Sequence, residues 1–423
     1  MSFVLRHRIL LLFGLASVLL VAALFWPEAK KSGEMQKYYS VPPSQLQAIE
    51  YSGEMTLVDK TKARIEYTIT REDNVLKPKE PLYRVDIRSL TTADTKIAAR
   101  VEELKNLKRF YAGSLMKTIV QDWAEPDFFY VLKHEPERDA EYGIKDCPNR
   151  LTATFRSGKR QFCVGNSSQG DTRRYLLDVD KDKLLITPDF TVRRVQNNIF
   201  AQREQSLYPH GNEGADLIEI KIGAEPLKKF PLLKEKTGGL LKLRMLVKEE
   251  EKNKINVWHV DGMLSVKPSH AAELAQLLNA LRVSAPFATD AAGAEKPASE
   301  VMRAAGIDAK SVPGISGAIK VKKTDQQDLN LSEFAFFAPG VKPTPQPAFQ
   351  FENQLVRPLD TIVVSQYNAG FISADLYPRL NGILTKFEND FLEAQKKGDL
   401  EKKEREKKEK EKQSPQLPAL SKP

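Results

Sequence analysis

The chain has 423 residues, 41% of them hydrophobic and 29% charged, with a mean hydropathy of -0.42. That length exceeds one ordinary core and suits two or three domains whose surfaces face water. The formal charge of +9 comes from 65 basic and 56 acidic residues spread along the chain, which leaves no nucleic-acid footprint.

Residues 1–8 carry Arg6 and Arg8 and precede an uncharged apolar run, Ile9 to Trp26. As a helix this run is about 27 Å long, enough to cross the hydrocarbon core of a bilayer. It ends Leu24-Phe25-Trp26-Pro27, without the small residues of a cleavage site, so it reads as an uncleaved single-pass anchor. The leading arginines place residues 1–8 in the cytoplasm and the body on the other side of the membrane. Residues 27–43 form a polar spacer.

Residues 44–188 read as an α+β unit. Strands are expected at Leu46–Tyr51, at Ala63–Thr70 with alternating Ile65, Tyr67 and Ile69, and at Leu82–Ile87. A helix follows over Ala93–Leu107, with Thr92 as its cap and Ile97, Val101, Leu104 and Leu107 as its stripe. The aromatic segment Phe110–Lys133 is expected to cover the core. A turn-rich junction containing Tyr142-Gly143-Ile144 leads to a hairpin around Ser157-Gly158, a loop at Gly165–Gly170 and a second hairpin ending at Thr187.

A bridge, residues 189–215, contains a helix. The pattern then restarts over residues 216–373. Strands are expected at Leu217–Ile222, at Leu240–Val247 and around Val257, Trp258 and Val260. A helix capped by Ser269 carries Leu274, Leu277, Leu278 and Leu281 on one face. After an Ala-rich linker, Gly306-Ile307 answers Gly143-Ile144, and strands follow at Ala318–Lys322, Glu333–Phe337 and Asp360–Ser365. A Pro-rich insert, Pro339–Pro347, interrupts them. The order of strand, strand, strand, helix, Gly-Ile junction and two hairpins therefore occurs twice, which reads as a duplication.

Residues 374–413 form a last helix. Leu380, Ile383, Leu384, Phe387 and Phe391 share one face that docks on the body, and a solvated stretch follows, paired Glu-to-Lys at i,i+4. Residues 414–423, rich in proline, are expected to be disordered.

No phosphate loop, dinucleotide fingerprint or nucleophile elbow occurs, and no catalytic, cofactor or metal residues are assigned. His7, His134, His210, His259 and His270 are scattered. His259 and Asp261 share a strand without an evident third ligand and read as a surface pair. Asp178, Asp180, Asp182 and Asp189 fall at calcium-loop spacing, but Lys183 stands where that loop requires glycine, so they read as a hairpin turn. Cys147 and Cys163 could form a disulfide or remain two buried thiols. Their even number suits a bond in an exported domain, but a hairpin centred on Ser157-Gly158 sets Cys163 opposite Thr152.

Phe162-Cys-Val-Gly-Asn166, Arg174-Tyr-Leu-Leu177, Asp182-Lys-Leu-Leu-Ile-Thr187, Asp216-Leu-Ile-Glu-Ile-Lys221 and Val257-Trp-His259 carry a resemblance. Together they resemble the bacterial domain-of-unknown-function 4340 family. Its members are often encoded beside gliding-motility-type ABC transporters or fused to their auxiliary subunits. The resemblance spans Leu46 to Tyr367, and the Pro-rich insert and charged tail depart from it. It implies a non-enzymatic auxiliary or scaffold subunit at the inner membrane, with ABC transporter subunits as partners and no cofactor. An envelope ligand- or polymer-binding module, with its site between the two copies, is the alternative, and an enzyme is a third.

Overall fold

The computed structural model describes residues 35–57, 60–105, 107–113, 116–168, 172–197, 199–209, 215–250, 253–283, 285–286, 302–303, 314–321, 329–337, 361–372 and 375–413. The expected anchor Ile9–Trp26, the Gly306-Ile307 junction, the Pro-rich insert and the tail 414–423 lie outside them. Among the described residues no helix is long and apolar enough to cross a membrane.

The fold is α+β, built on two antiparallel sheets. The first follows a short ribbon, β1 (Gln36–Lys37) with β6 (Asp127–Phe128). Its strands are β2 (Leu46–Thr56), β3 (Lys62–Glu72), β4 (Leu82–Thr91), β5 (Arg109–Ala112), β7 (Tyr130–Lys133), β8 (Arg150–Phe155), β9 (Gly158–Ser168), β10 (Arg173–Asp178) and β11 (Lys183–Pro188). They lie in the order β5-β4-β3-β2-β8-β9-β10-β11-β7. The second sheet contains β12 (Leu217–Ile222), β13 (Leu240–Glu250), β14 (Asn253–Val260), β15 (Ala285–Pro286), β16 (Ile315–Val321), β17 (Leu329–Phe337), β18 (Thr361–Ser365) and β19 (Ala369–Ile372). Its order is β14-β13-β12-β16-β17-β18-β19-β15.

Strand for strand, the second order repeats the first. A three-stranded meander (β2-β3-β4; β12-β13-β14) is followed by helix. The chain then places the far edge strand (β7; β15) before returning beside the first strand of the meander (β8; β16) and running a second meander outward to meet that edge. β5 has no counterpart among the described strands of the second sheet.

Helices cover each sheet. On the first these are α1 (Ala98–Lys105), α2 (Met116–Ala124), the short α3 (Asp139–Tyr142) and α4 (Asp189–Gln196). On the second they are α5 (Ala224–Leu227), α6 (Pro231–Thr237), α7 (Pro268–Ala280) and α8 (Leu376–Gln413). The expected helix at 93–107 is shorter than its stripe because Thr92 Oγ1 accepts from the Asp94 amide (3.1 Å) and holds the preceding residues in turns. The aromatic segment 110–133 resolves into β5, α2, β6 and β7. Trp123 on α2 is fully buried beside Phe162, with ring centroids 5.6 Å apart.

Two expectations need correction. The hairpin between β8 and β9 turns on Arg156-Ser157, since Phe155 pairs with Gly158, so Cys163 faces Arg150 and not Thr152. Residues 165–168 continue β9 and are not loop. Gly165 is required there because a Cβ would lie 2.3 Å from the Tyr142 carbonyl oxygen, where the junction packs on β9.

α8 divides into two halves. Leu376, Leu380, Ile383, Leu384, Phe387 and Phe391 are buried against α6, α7 and the second sheet. From Leu392 to Glu409 every residue is exposed, although the helix continues to Gln413.

Candidate functional site

Among the described residues, the largest group of buried polar side chains lies where the two sheets meet, and the bridge between them builds it. α4 packs Val192 and Val195 on the first sheet, and the Val195 carbonyl accepts from the buried Tyr67 hydroxyl (2.8 Å). A short turn, Ile199–Gln202, buries Phe200 against Phe110. The next residues are hydrogen-bonded on both sides. Gly113 N–H donates to the Gln202 carbonyl and Glu204 N–H to the Tyr111 carbonyl (both 2.7 Å). Val283 N–H, arriving from α7, donates to the Gln205 carbonyl (2.7 Å). Residues 202–205 thus fill the line between β5 and the second unit.

Arg203 is the centre of this seam. It is 6% exposed, and its guanidinium donates to Asn368 Oδ1 and to the Val283 carbonyl (3.1 Å). Asn368 in turn donates through Nδ2 to the Ser206 carbonyl, and its own amide donates to Ser365 Oγ (3.0 Å). Ser332 Oγ donates to the Leu207 carbonyl (3.1 Å). Tyr367 meets Tyr111 and Tyr208 edge-on at centroid distances of 5.0 and 5.3 Å. The Tyr208 hydroxyl approaches Asn74 Oδ1 (3.4 Å), and the Tyr111 hydroxyl donates to Glu72 (2.8 Å).

Burial pushes the Arg203 guanidinium down to about 10, partly offset by the negative charge of Glu204, so it stays protonated at neutral pH. Burial likewise raises the phenols of Tyr111, Tyr208 and Tyr367, and neighbouring groups such as Glu72 hold the first higher still. None of these groups exchanges a proton near neutrality, and no nucleophile is paired with a base among them. Asn368 and Ser332 are tied to backbone carbonyls, and Asn368 Oδ1 to the Arg203 guanidinium, whereas Arg203 Nε and Asn74 Nδ2 are buried without a hydrogen-bond partner. This chemistry fixes geometry: a buried charge that loses a partner is costly, so the network tolerates one arrangement of the sheets.

A second polar constellation ties α8 to its sheet. Neither α6 nor α7 has a side-chain N-cap of its own, because Phe230 and Lys267 occupy those positions. α8 supplies the missing acceptors. The Glu388 carboxylate accepts from the amides of Leu232 and Leu233 (both 2.8 Å), and buried Asp390 accepts from the Lys267 amide (3.0 Å) and His270 Nδ1 (2.7 Å). The expected cap at Ser269 is displaced because Pro268 occupies the first helical position.

The remaining sequence candidates do not converge. Cys147 and Cys163 are disulfide-bonded, with Cα atoms 5.3 Å apart, and staple the junction to β9. The bond is reachable because α3 folds the junction over β9, a placement that hairpin register alone does not reveal. His259 Nε2 lies 3.6 Å from Asp261, which is also held by Arg244 (3.0 Å). The four aspartates diverge. Asp178 Oδ1 accepts from the Lys181 amide, Asp180 from the Gln161 amide, and Asp189 pairs with Arg174 and Arg193. Asp182 contacts His134, whose other nitrogen meets Asp139 (2.7 Å). Among the described residues no group of three or more His, Cys, Asp or Glu could hold a metal ion. His7 and His210 lie outside the described residues.

Arg203, Asn368, Glu388 and Asp390 were not singled out from the sequence. Their partners are 80 to 165 residues away in the case of Arg203, and no local pattern marks them. No family model, curated protein or solved structure matches this chain.

Proposed function

We propose that this chain is a membrane-anchored, extracytoplasmic, non-enzymatic auxiliary or scaffold subunit. The observation that carries the reading is the seam: Arg203 and the residues around it occupy the junction of the two sheets and hold them as one body. A rigid body presents fixed surfaces to partners, whereas a ligand clamp between the units would need a cleft where these side chains stand. The shared strand order supports a duplicated unit, 44–188 and 216–373, joined by residues 189–215. The Cys147–Cys163 bond suits an oxidising compartment such as the periplasm. The run Ile9–Trp26 would tether the body to the inner membrane, where confinement raises the occupancy of weak contacts. ABC-type transporter or gliding-motility-like partners come from the family resemblance alone.

Native electrophoresis of the full chain solubilised from its own membranes tests this. The scaffold reading expects a larger complex containing other membrane proteins, which disperses when Asn368→Leu disturbs the seam. A chain that migrates alone, unchanged by that substitution, would contradict it.

A further inference from the structure

We propose that α8 beyond Phe391 is a self-supporting helical arm, a stiff spacer that reaches out from the second unit without a partner helix. The docked half fixes where, and in which direction, the arm leaves. Phe391 is the last buried residue, and carboxylates on either side of it clamp the helix to its neighbours. Glu388 accepts from the Leu232 and Leu233 amides, Asp390 from the Lys267 amide, and Glu393 from the Lys267 ammonium (3.0 Å). The exposed run from Leu392 to Glu409 then extends about 27 Å at the helical rise.

A helix that is polar all round persists by bridging other bodies or through its own charge pairs. The sequence excludes a coiled coil with a second copy, because that seam needs an apolar residue every three or four positions. Leu392 and Leu400 stand too far apart for it, and no apolar residue follows Leu400 as far as Gln413. Charge pairs, by contrast, are spaced throughout. Glu393, Asp399, Glu401, Glu404 and Glu406 each stand four residues before a lysine or arginine, the favoured order. Like charges stand four apart only for Lys403 with Lys407 and Lys408 with Lys412. Apart from Gly398 and Asp399, every residue from Leu392 to Gln413 is a strong helix former. Each pair is weak, and an isolated helix of this length is marginal chiefly because its first turn is costly. Here the docked half supplies that first turn, so the exposed half only propagates it, and Lys410 and Lys412 in the last turn suit the helix dipole. A stiff arm sets the reach at which a scaffold holds a partner. That use rests on the scaffold reading above, whereas the arm itself does not.

The test is a dipolar spin-resonance distance on the full, detergent-solubilised chain, nitroxide-labelled through Arg379→Cys with Lys407→Cys. Both native cysteines are bonded to each other and take no label. Arg379 and Lys407 are exposed on α8, and a continuous helix separates them by about 42 Å. The expected result is one narrow distance near that value, with no coupling between chains labelled through Lys407→Cys alone. The distance should shorten and broaden with Gly398→Pro, and broaden when Glu401→Lys with Glu404→Lys sets like charges four apart. A broad distribution centred near about 28 Å in the unsubstituted arm, the value for a coil beyond Phe391, would overturn the proposal. So would a short distance between singly labelled chains, which would show two copies wound together. The same narrow distance in a chain that migrates alone on native electrophoresis would keep the arm and remove only the scaffold reading.

Discussion

The two sheets share a strand order but are closed in different ways. The first is closed by neighbours in sequence: β5 extends it beyond β4, Arg109 and Asp86 pair across those two strands (2.5 Å), and a disulfide fixes the junction to β9. The second is closed from a distance. α8 arrives from the end of the described chain, buries its apolar face and lends Glu388 and Asp390 to the starts of α6 and α7. One topology therefore supports a locally stapled unit and a unit whose cover is remote. The seam at Arg203 makes each depend on the other, and substitutions can separate these dependences.

The largest effect is expected from Leu278→Asp. Leu278 is 3% exposed among the leucines of α7, and an unpaired carboxylate there should cost about 4–5 kcal/mol or more. Calorimetry of the full chain should show loss of the second unit's transition together with a lowered midpoint for the first. Next is Asn368→Leu, which removes an acceptor from buried Arg203 and should cost about 3–5 kcal/mol, measured as a shift in the denaturant midpoint. Because it acts at the seam, both units should move together.

Replacing Cys147 and Cys163 by alanine opens a loop with a sequence separation of 16 and should cost about 3 kcal/mol. Because the seam couples the units, protection should fall in both, and most in β8 and β9, where the bond holds the junction, as read by hydrogen exchange against β12 and β13. An equal loss in both units would mean that the junction contributes to the seam.

The smallest effects distinguish the units by pH. Burial alone would lower the His134 imidazole, but hydrogen bonds and charge from Asp139 and Asp182 outweigh it and raise its pKa. Its contribution is present in full below the unfolded value near 6.5 and is lost as pH rises through the higher folded value. Burial alone would raise Asp390, but the Lys267 amide, His270 and the Lys267 ammonium outweigh it and hold the carboxyl low. Its contribution is present above the unfolded value near 3.9 and is lost as pH falls through the folded one. His134→Gln should therefore flatten the mildly alkaline loss of stability in the first unit, and Asp390→Asn the acid loss in the second. Peptide-resolved hydrogen exchange across pH measures both.

These contrasts also mark what the sequence made legible. Alternation in β3 and the leucine stripe of α7 expressed burial within one element, so those elements were readable, as was the repeated strand order; in β13 alternation matched burial at Leu241 and Leu243 but not at Val247, which is 61% exposed. β2 runs past its expected end at Tyr51 to Thr56 because the alternation continues through Gly53, which carries no apolar side chain to mark it, to the fully buried Met55. The seam was not readable, since Arg203 and Asn368 are ordinary surface residue types until the fold brings them together. The two carboxylates of α8 looked like solvent-facing charges for the same reason: the amides they cap belong to helices more than 100 residues earlier.

Native-state hydrogen exchange at the seam tests the central claim most directly. The amides of Gly113, Glu204 and Val283 bond across the junction, and those of Ile69 and Ile220 lie inside the two sheets. If the sheets form one body, the three seam amides exchange only through the same large opening as the sheet amides, with comparable protection. Seam amides that exchange orders of magnitude faster, while both sheets remain protected, would show two units free to move and contradict the account.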